Sequence, residues 1–286
     1  MIQYIYLGRV AYDEALKLQE ELVELRRNDR IGNVLLLLEH PPVLTLGRHA
    51  NRANVLATDE MLAARGVTLH QINRGGDVTY HGPGQLVGYP VFDLRTFNNP
   101  GGGRMGPVDF VREMEEALIR LCAVYGVRAG RIAGLTGVWC PGIACGGSLE
   151  ESRETSAKIG AIGIHVSRGI TSHGFAFNVR TDLEYFRLIN PCGITDKPVT
   201  SLEREAADPA MPPGLEAIAH EAARQFGHVF KRQVTELESL GALRNSHGCE
   251  AKAGEIAGPE PGQDTPAQRP EGLERLRDDA ERPVRA

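Results

Sequence analysis

The chain has 286 residues, 42% of them hydrophobic and 24% charged, which is enough for one large domain or two small ones with an ordinary core. A formal net charge of −5 argues against a nucleic-acid binder that relies on a broad basic face, and the longest purely apolar run, Val34 to Leu38, falls far short of the roughly 20 residues that cross a bilayer. Neither nucleic acid nor membrane is expected as a partner, and five cysteines without repeated spacing imply no disulfide framework.

Met1 to Gly8 lacks the basic start, long apolar stretch and small-residue cleavage site of a signal peptide, so it reads as a first strand in a cytoplasmic protein. Ala11, Ala15, Leu18, Leu22 and Leu25 follow at helical spacing, predicting a helix from Ala11 to about Arg27 that Asn28 and Asp29 end. Val34 to Leu38 reads as a strand buried on both faces, halted by Pro41 and Pro42, with Val43 to Gly47 extended beyond it. Thr58 to Gly66 carries a helix start, a short amphipathic body and a glycine stop, and Val67 to Leu69 a strand.

Residues 73 to 85, Asn-Arg-Gly-Gly-Asp-Val-Thr-Tyr-His-Gly-Pro-Gly-Gln, contain almost nothing fit for a core, and the strand Leu86 to Leu94 follows them. Glycine permits positive φ and lets backbone N–H groups approach a ligand, while Arg74 adds a fixed cation and His81 a group that titrates near neutrality. A ligand-holding loop and a glycine-rich hairpin with a stray Arg and His are both compatible with this composition. A second glycine-rich stretch, Asn98 to Gly106, lacks the Gly-Lys-Ser/Thr that would make it a phosphate cradle.

Pro107 opens a helix whose buried stripe is Val111, Met114, Leu118, Leu121 and Tyr125, closed by Gly126, with Cys122 as a core thiol. Strands are expected at Leu135 to Trp139, Ile159 to Val166 and Gly174 to Val179, with a loop from Cys140 to Ala157 between the first two. Cys140, Cys145, His165 and His173 invite a zinc reading, which the wide gap between the cysteines disfavours. A last helix is predicted from about Gly214 to Phe226, with Leu215, Ile218, Ala222 and Phe226 inward and Gly227 as its stop. From Asn245 the chain has no aromatic residue, five prolines, nine acidic and six basic residues, so the expectation is a folded body over 1–244 and a disordered tail over 245–286.

Two residues stand out chemically. Cys192 sits in Asn190-Pro191-Cys192-Gly193, a tight turn that presents a thiol rather than burying it. Lys158 stands at the start of an apolar strand, where a cation faces either a cleft or solvent; beside a thiol it would favour the thiolate. Spacing alone does not bring the two together.

Four blocks in order carry a resemblance: Arg74 to Gln85, Lys158 to Gly163, His173 to Asn178, and Pro191 to Gly193. Over roughly Tyr4 to Phe230 the chain resembles the lipoyl(octanoyl) transferases, with the tail and the Cys140 to Thr155 loop standing as additions. The resemblance implies an α/β (α+β) fold, a mixed sheet with flanking helices similar to the catalytic domains of biotin and lipoate protein ligases, and no cofactor or metal. It implies transfer of octanoyl groups from octanoyl-acyl carrier protein to a lysine of the lipoyl domains of 2-oxoacid dehydrogenase E2 subunits and of the glycine cleavage H protein. It makes Cys192 the acyl-accepting nucleophile and Lys158 the residue that lowers its pKa. Arg74, Gly75, Gly76, Asp77, Val78, Thr79, Tyr80 and His81, with Ala161, Ile162 and Gly163 and with Gly174, Phe175 and Ala176, would line the acyl site. An ATP-dependent ligase and a non-enzymatic acyl-binding scaffold of the same fold are the alternatives, and a thiol nucleophile is superfluous to both. Acyl carrier proteins are acidic, so a local basic patch, for which Arg48, Arg52 and Arg65 are candidates, is expected despite the negative total.

Overall fold

The computed structural model describes residues 1–48, 50–141, 155–190, 197–208 and 212–245; Cys192, Cys145 and the expected tail lie outside these. The helices are α1 (Tyr12–Arg27), α2 (Asp59–Ala64), α3 (Pro107–Val124), α4 (Leu202–Glu205), α5 (Leu215–Phe230) and α6 (Leu240–Asn245). The strands are β1 (Ile2–Arg9), β2 (Asn33–Glu39), β3 (Val43–Leu46), β4 (Thr68–Gln71), β5 (Val78–His81), β6 (Gln85–Val91), β7 (Gly130–Ile132), β8 (Leu135–Cys140), β9 (Ala157–Ser167), β10 (Ile170–Asn178) and β11 (Val234–Glu236). They form an eight-stranded sheet in the order β11-β1-β2-β6-β10-β9-β8-β7 and a three-stranded sheet β4-β3-β5. Both are mixed: β1 runs parallel to β11 and β2, β3 runs parallel to β4, and the other pairs are antiparallel.

The alternation of side chains along β2 explains its unbroken apolar sequence. Leu35 and Leu37 pack with Phe110, Leu118, Phe226 and Phe230 of α3 and α5, while Val34, Leu36 and Leu38 pack with Ala15 and Leu22 of α1 on the other face. Within α3, Met114, Leu118, Leu121 and Cys122 are buried as expected, but Val111 and Tyr125 are only half-buried and Phe110 takes the inward place.

In α1 the inward face is Tyr12, Ala15, Gln19, Leu22 and Arg26, whereas Ala11 is exposed and Leu18 and Leu25 are half-buried. Counting apolar residues misplaces that face because two of its positions are polar side chains that hydrogen-bond inward. Gln19 Oε1 accepts the His173 N–H at 2.8 Å, and Arg26 meets Asn33 Oδ1 at 3.1 Å and Asp93 at 3.4 Å. Asp29 ends the helix in the left-handed region (φ 52°), with Asp29 N–H donating to the Arg26 carbonyl and Arg30 N–H to the Leu25 carbonyl.

Gly227 does not stop α5. The helix runs through it to Phe230 and turns at Lys231, which takes the left-handed conformation itself (φ 52°). Gly227 is instead a point of close approach, since a Cβ there would come 2.2 Å from Val234 Cγ2 of β11. The segment read as one loop, Arg74 to Gln85, holds the four-residue strand β5, paired with β3 so that Thr79 faces Thr45 and His81 faces Val43.

Candidate functional site

A cavity of about 400 Å³ lies against β9 and β10. Gly163 and Gly174 are cross-strand partners there, as are Ala161 and Ala176, so the wall facing the cavity is built of the smallest side chains. A Cβ on Gly174 would fall 2.1 Å from the Gly88 carbonyl oxygen, and one on Gly163 would fall 2.7 Å from the Gly75 carbonyl oxygen. These two glycines therefore let neighbouring backbone close in, and the void beside them is what remains.

The opposite wall is the Arg74 loop and β5. Arg74 is buried, and its guanidinium donates to the Thr45 carbonyl at 2.7 Å, to Thr45 Oγ1 at 2.9 Å and to the Gly75 carbonyl at 3.0 Å. Gly75 N–H donates to the Ile164 carbonyl of β9 at 2.9 Å. Arg74 thus clamps the loop to the small sheet while the next residue ties it to the large one. The fixed cation expected in the loop thus has a structural partner in Thr45.

The clamp continues as a chain of hydrogen bonds. Gln85 Nε2 donates to the Tyr80 carbonyl at 3.1 Å and to Asn178 Oδ1 at 2.9 Å, which turns Gln85 Oε1 toward His81 Nδ1 at 2.8 Å. An amide oxygen only accepts, so the imidazole proton sits on Nδ1 and the Nε2 lone pair faces Thr45 Oγ1 at 3.4 Å. Asn178 Nδ2 donates to the Thr200 carbonyl at 2.9 Å, and Thr200 N–H donates to the Lys158 carbonyl at 2.9 Å. One polar network therefore runs from Arg74 to the backbone of Lys158.

The histidines around the cavity are neutral at ordinary pH. Burial, with the neighbouring His40, Arg74 and His173 adding to it, pushes His81 down to about 3. Burial and the Arg74 charge push His173 down to about 4, and burial pushes His40 down to about 4. Tyr12 of α1, raised by burial to about 12, stacks on His81 with ring centroids 6.4 Å apart, and His40 Nε2 lies 2.7 Å from the Tyr89 hydroxyl.

Lys158, half-buried, reaches the cavity from the start of β9, its Nζ 4.6 Å from the ring centroid of Trp139. The strand rise of about 3.3 Å per residue puts Gly163 roughly 17 Å farther along β9. The β9 residues that border the cavity therefore span about that length of strand, beginning at Lys158. Two described residues on neighbouring stretches of chain are anchored by backbone hydrogen bonds. Asn190 N–H donates to the Asn54 carbonyl at 2.7 Å, and Lys158 N–H donates to the Pro198 carbonyl at 2.8 Å.

Of the residues expected at the site, Arg74, Gly75, Gly76, Val78, Thr79, His81, Lys158, Ala161, Ile162, Gly163, Gly174, Phe175 and Ala176 border the cavity. Tyr80 and Asp77 do not. Strand alternation turns Tyr80 the other way, where it stacks on Tyr185 at 4.8 Å, and Asp77 accepts from Asn54 Nδ2. Cys192 lies outside the described residues. Sequence reasoning missed Tyr12, Tyr89, Val111 and the β7–β8 turn at Gly134 to Thr136, all of which border the cavity. Nothing local marks them; Val111 could have been singled out as an apolar residue at the margin of its stripe. Of the zinc-reading residues, Cys140 is buried in the core, His165 Nδ1 accepts from Arg48 Nη2 at 2.7 Å, and His173 Nε2 lies 2.7 Å from Asn73 Oδ1.

Comparison with known proteins adds the family context. Residues 11–226 match the lipoyl protein ligase A/B catalytic domain. The chain is 60% identical over 245 residues to a protein of Acidobacterium capsulatum named octanoyltransferase, covering 85% of this chain and 96% of that one. It is 48% identical over 279 residues to an octanoyltransferase of Koribacter versatilis, covering 98% of both, so the segment read as an addition after 245 has a counterpart in a relative. The bi-partite lipoate protein ligase of Thermoplasma acidophilum superposes with a TM-score of 0.62 at 17% identity, over 85% of this chain and 91% of that one, which shows a shared fold.

Proposed function

Since the chain belongs to the lipoyl protein ligase A/B catalytic domain family and is an acyltransferase enzyme, we propose that it moves octanoyl groups from octanoyl-acyl carrier protein to a lysine of lipoyl domains through a thioester on Cys192. Octanoyl transfer in protein lipoylation follows from the relatives; the donor, the acceptor lysine and the intermediate are the proposal. The observation that carries it is the cavity with a small-residue wall on β9 and β10 and with Lys158 bordering it. Asn190, two residues before Cys192 in the sequence, donates its N–H to the Asn54 carbonyl, and Asn54 Nδ2 donates to Asp77 of the Arg74 loop.

In this reading the Cys192 thiolate, favoured by the Lys158 ammonium, attacks the donor thioester carbonyl. A C–S bond forms, backbone N–H groups of the glycine-rich wall stabilise the oxyanion, and the carrier thiolate leaves and takes up a proton. The acceptor amine then attacks the octanoyl-Cys192 carbonyl. A C–N bond forms, the C–S bond breaks, and the amine proton passes to the departing Cys192 sulfur or to neutral Lys158. Each buried CH₂ of the octanoyl chain contributes about 0.8 kcal/mol, and Ile162 and Phe175 offer apolar surface to it. His81 and His173, held neutral, leave no added cation beside the hydrocarbon.

The test is transfer from octanoyl-acyl carrier protein to an apo lipoyl domain with ATP absent. The expected result is octanoylated lipoyl domain with the native chain and none with Cys192→Ala. Activity that requires ATP and free octanoate assigns a ligase mechanism instead, and ATP-free transfer that survives in Cys192→Ala rules out the Cys192 thioester.

A further inference from the structure

Trp139 lies in the core, 1% exposed, yet its buried indole nitrogen has no hydrogen-bond partner among the described residues. Buried tryptophans ordinarily satisfy that N–H, so an orphaned donor calls for another reason for the ring's placement. The reason visible here is its face: Trp139 is the cross-strand partner of Lys158, and the lysine Nζ stands 4.6 Å from the ring centroid.

The ring's position is set by an irregularity in β8. The register between β8 and β9 slips between Val138 and Trp139. Just before the slip, Gly137 adopts φ 121°, and a Cβ there would fall 2.6 Å from the Gly160 carbonyl oxygen and 3.5 Å from Lys158 Cε. Gly137 N–H donates at 2.9 Å to Oε1 of Glu115, a fully buried carboxylate of α3 whose Oε2 meets Arg112 at 2.7 Å and Arg131 at 3.1 Å. A buried carboxylate held by two guanidiniums thus anchors the bulge that lays the lysine stem over Gly137 and its head over Trp139.

We propose that Trp139, on the bulge anchored by Glu115, is a positioning residue that keeps Lys158 as an ammonium aimed into the cavity. The indole face is the best of the aromatic faces for a cation, and it stabilises the charged lysine relative to the neutral amine. The consequence for the reaction is directional. Lys158 supports the Cys192 thiolate as a charge, and the acceptor amine's proton leaves on the Cys192 sulfur rather than on Lys158.

The inference rests on the proposal that Lys158 and Cys192 act together, and the test separates the two. The rate of iodoacetamide alkylation, read by mass spectrometry on the peptide containing Cys192, is followed against pH in the native chain, Trp139→Phe, Trp139→Leu and Lys158→Met. Lys158→Met raises the midpoint if the pair exists. Trp139→Leu is then expected to raise it by about 0.5–1 pH unit and Trp139→Phe by less, in the order of cation affinity. A Lys158→Met shift with Trp139→Leu and Trp139→Phe both at the native midpoint overturns the role of Trp139 alone. No shift in Lys158→Met overturns the pairing and this inference with it. Should Trp139→Leu not fold, the smaller shift expected of Trp139→Phe decides.

Discussion

Replacing Arg74 by methionine tests whether the glycine-rich wall is a clamped structure or a loose loop. The substitution keeps an apolar stem and removes three donated hydrogen bonds, at 2.7, 2.9 and 3.0 Å. Hydrogen bonds from a charged group contribute about 1.5–3 kcal/mol each, but the loss is smaller than their sum. Thr45 Oγ1 keeps His81 Nε2 as a neighbour at 3.4 Å, and removing the buried guanidinium also removes its desolvation cost. A net loss of about 3 kcal/mol follows, roughly a fifth to three-fifths of the stability of an ordinary domain. At roughly 2–4 °C per kcal/mol for a domain of this size, the melting temperature falls by about 6–12 °C. Urea unfolding read by Trp139 fluorescence measures it, and Arg74→Lys, with a charge but no planar fork, should fall between the two. Equal midpoints and slopes for native chain and Arg74→Met would refute the clamp.

Further outcomes are expected. Because His81, His173 and His40 are depressed to about 3, 4 and 4, their folded forms stay neutral when the unfolded chain protonates near pH 6.5. Unfolding then takes up protons below that pH, so stability is fully present above it and is lost as pH falls from about 6.5 toward 4; urea midpoints unchanged between pH 7 and 5 would contradict this. Gly174→Ala places a Cβ 2.1 Å from the Gly88 carbonyl and should cost at least about 2 kcal/mol together with most of the transfer activity, measured by urea unfolding and turnover. Lys231→Gly, at φ 52°, relieves a left-handed non-glycine residue and should raise stability by up to about 1 kcal/mol with turnover unchanged.

Much of the fold was legible in the sequence, and the misreadings share physical causes. The leucine run of β2 and the helical spacing of α3 report burial directly, and both elements form where expected. The strand β5 was hidden because its four residues are flanked by glycines, and only pairing with β3, more than thirty residues upstream, gives it a partner. Gly227 looks like a stop by composition, but the 2.2 Å approach of Val234 is a tertiary fact that no local pattern carries. For the site, the Arg74 to Gln85 block gave one wall through its loop and β5, and the blocks on β9 and β10 gave the facing one. Tyr12, Tyr89 and the β7–β8 turn join them through topology alone, and Tyr80 leaves them because consecutive residues of a strand face opposite ways.

The central claim is a covalent octanoyl-enzyme, and intact-mass measurement of the full chain mixed with octanoyl-acyl carrier protein in the absence of acceptor tests it most directly. The account predicts a gain of one octanoyl group, mapped to the peptide containing Cys192 and discharged when apo lipoyl domain is added. Turnover with the native chain while no octanoyl group ever appears on Cys192 would contradict it.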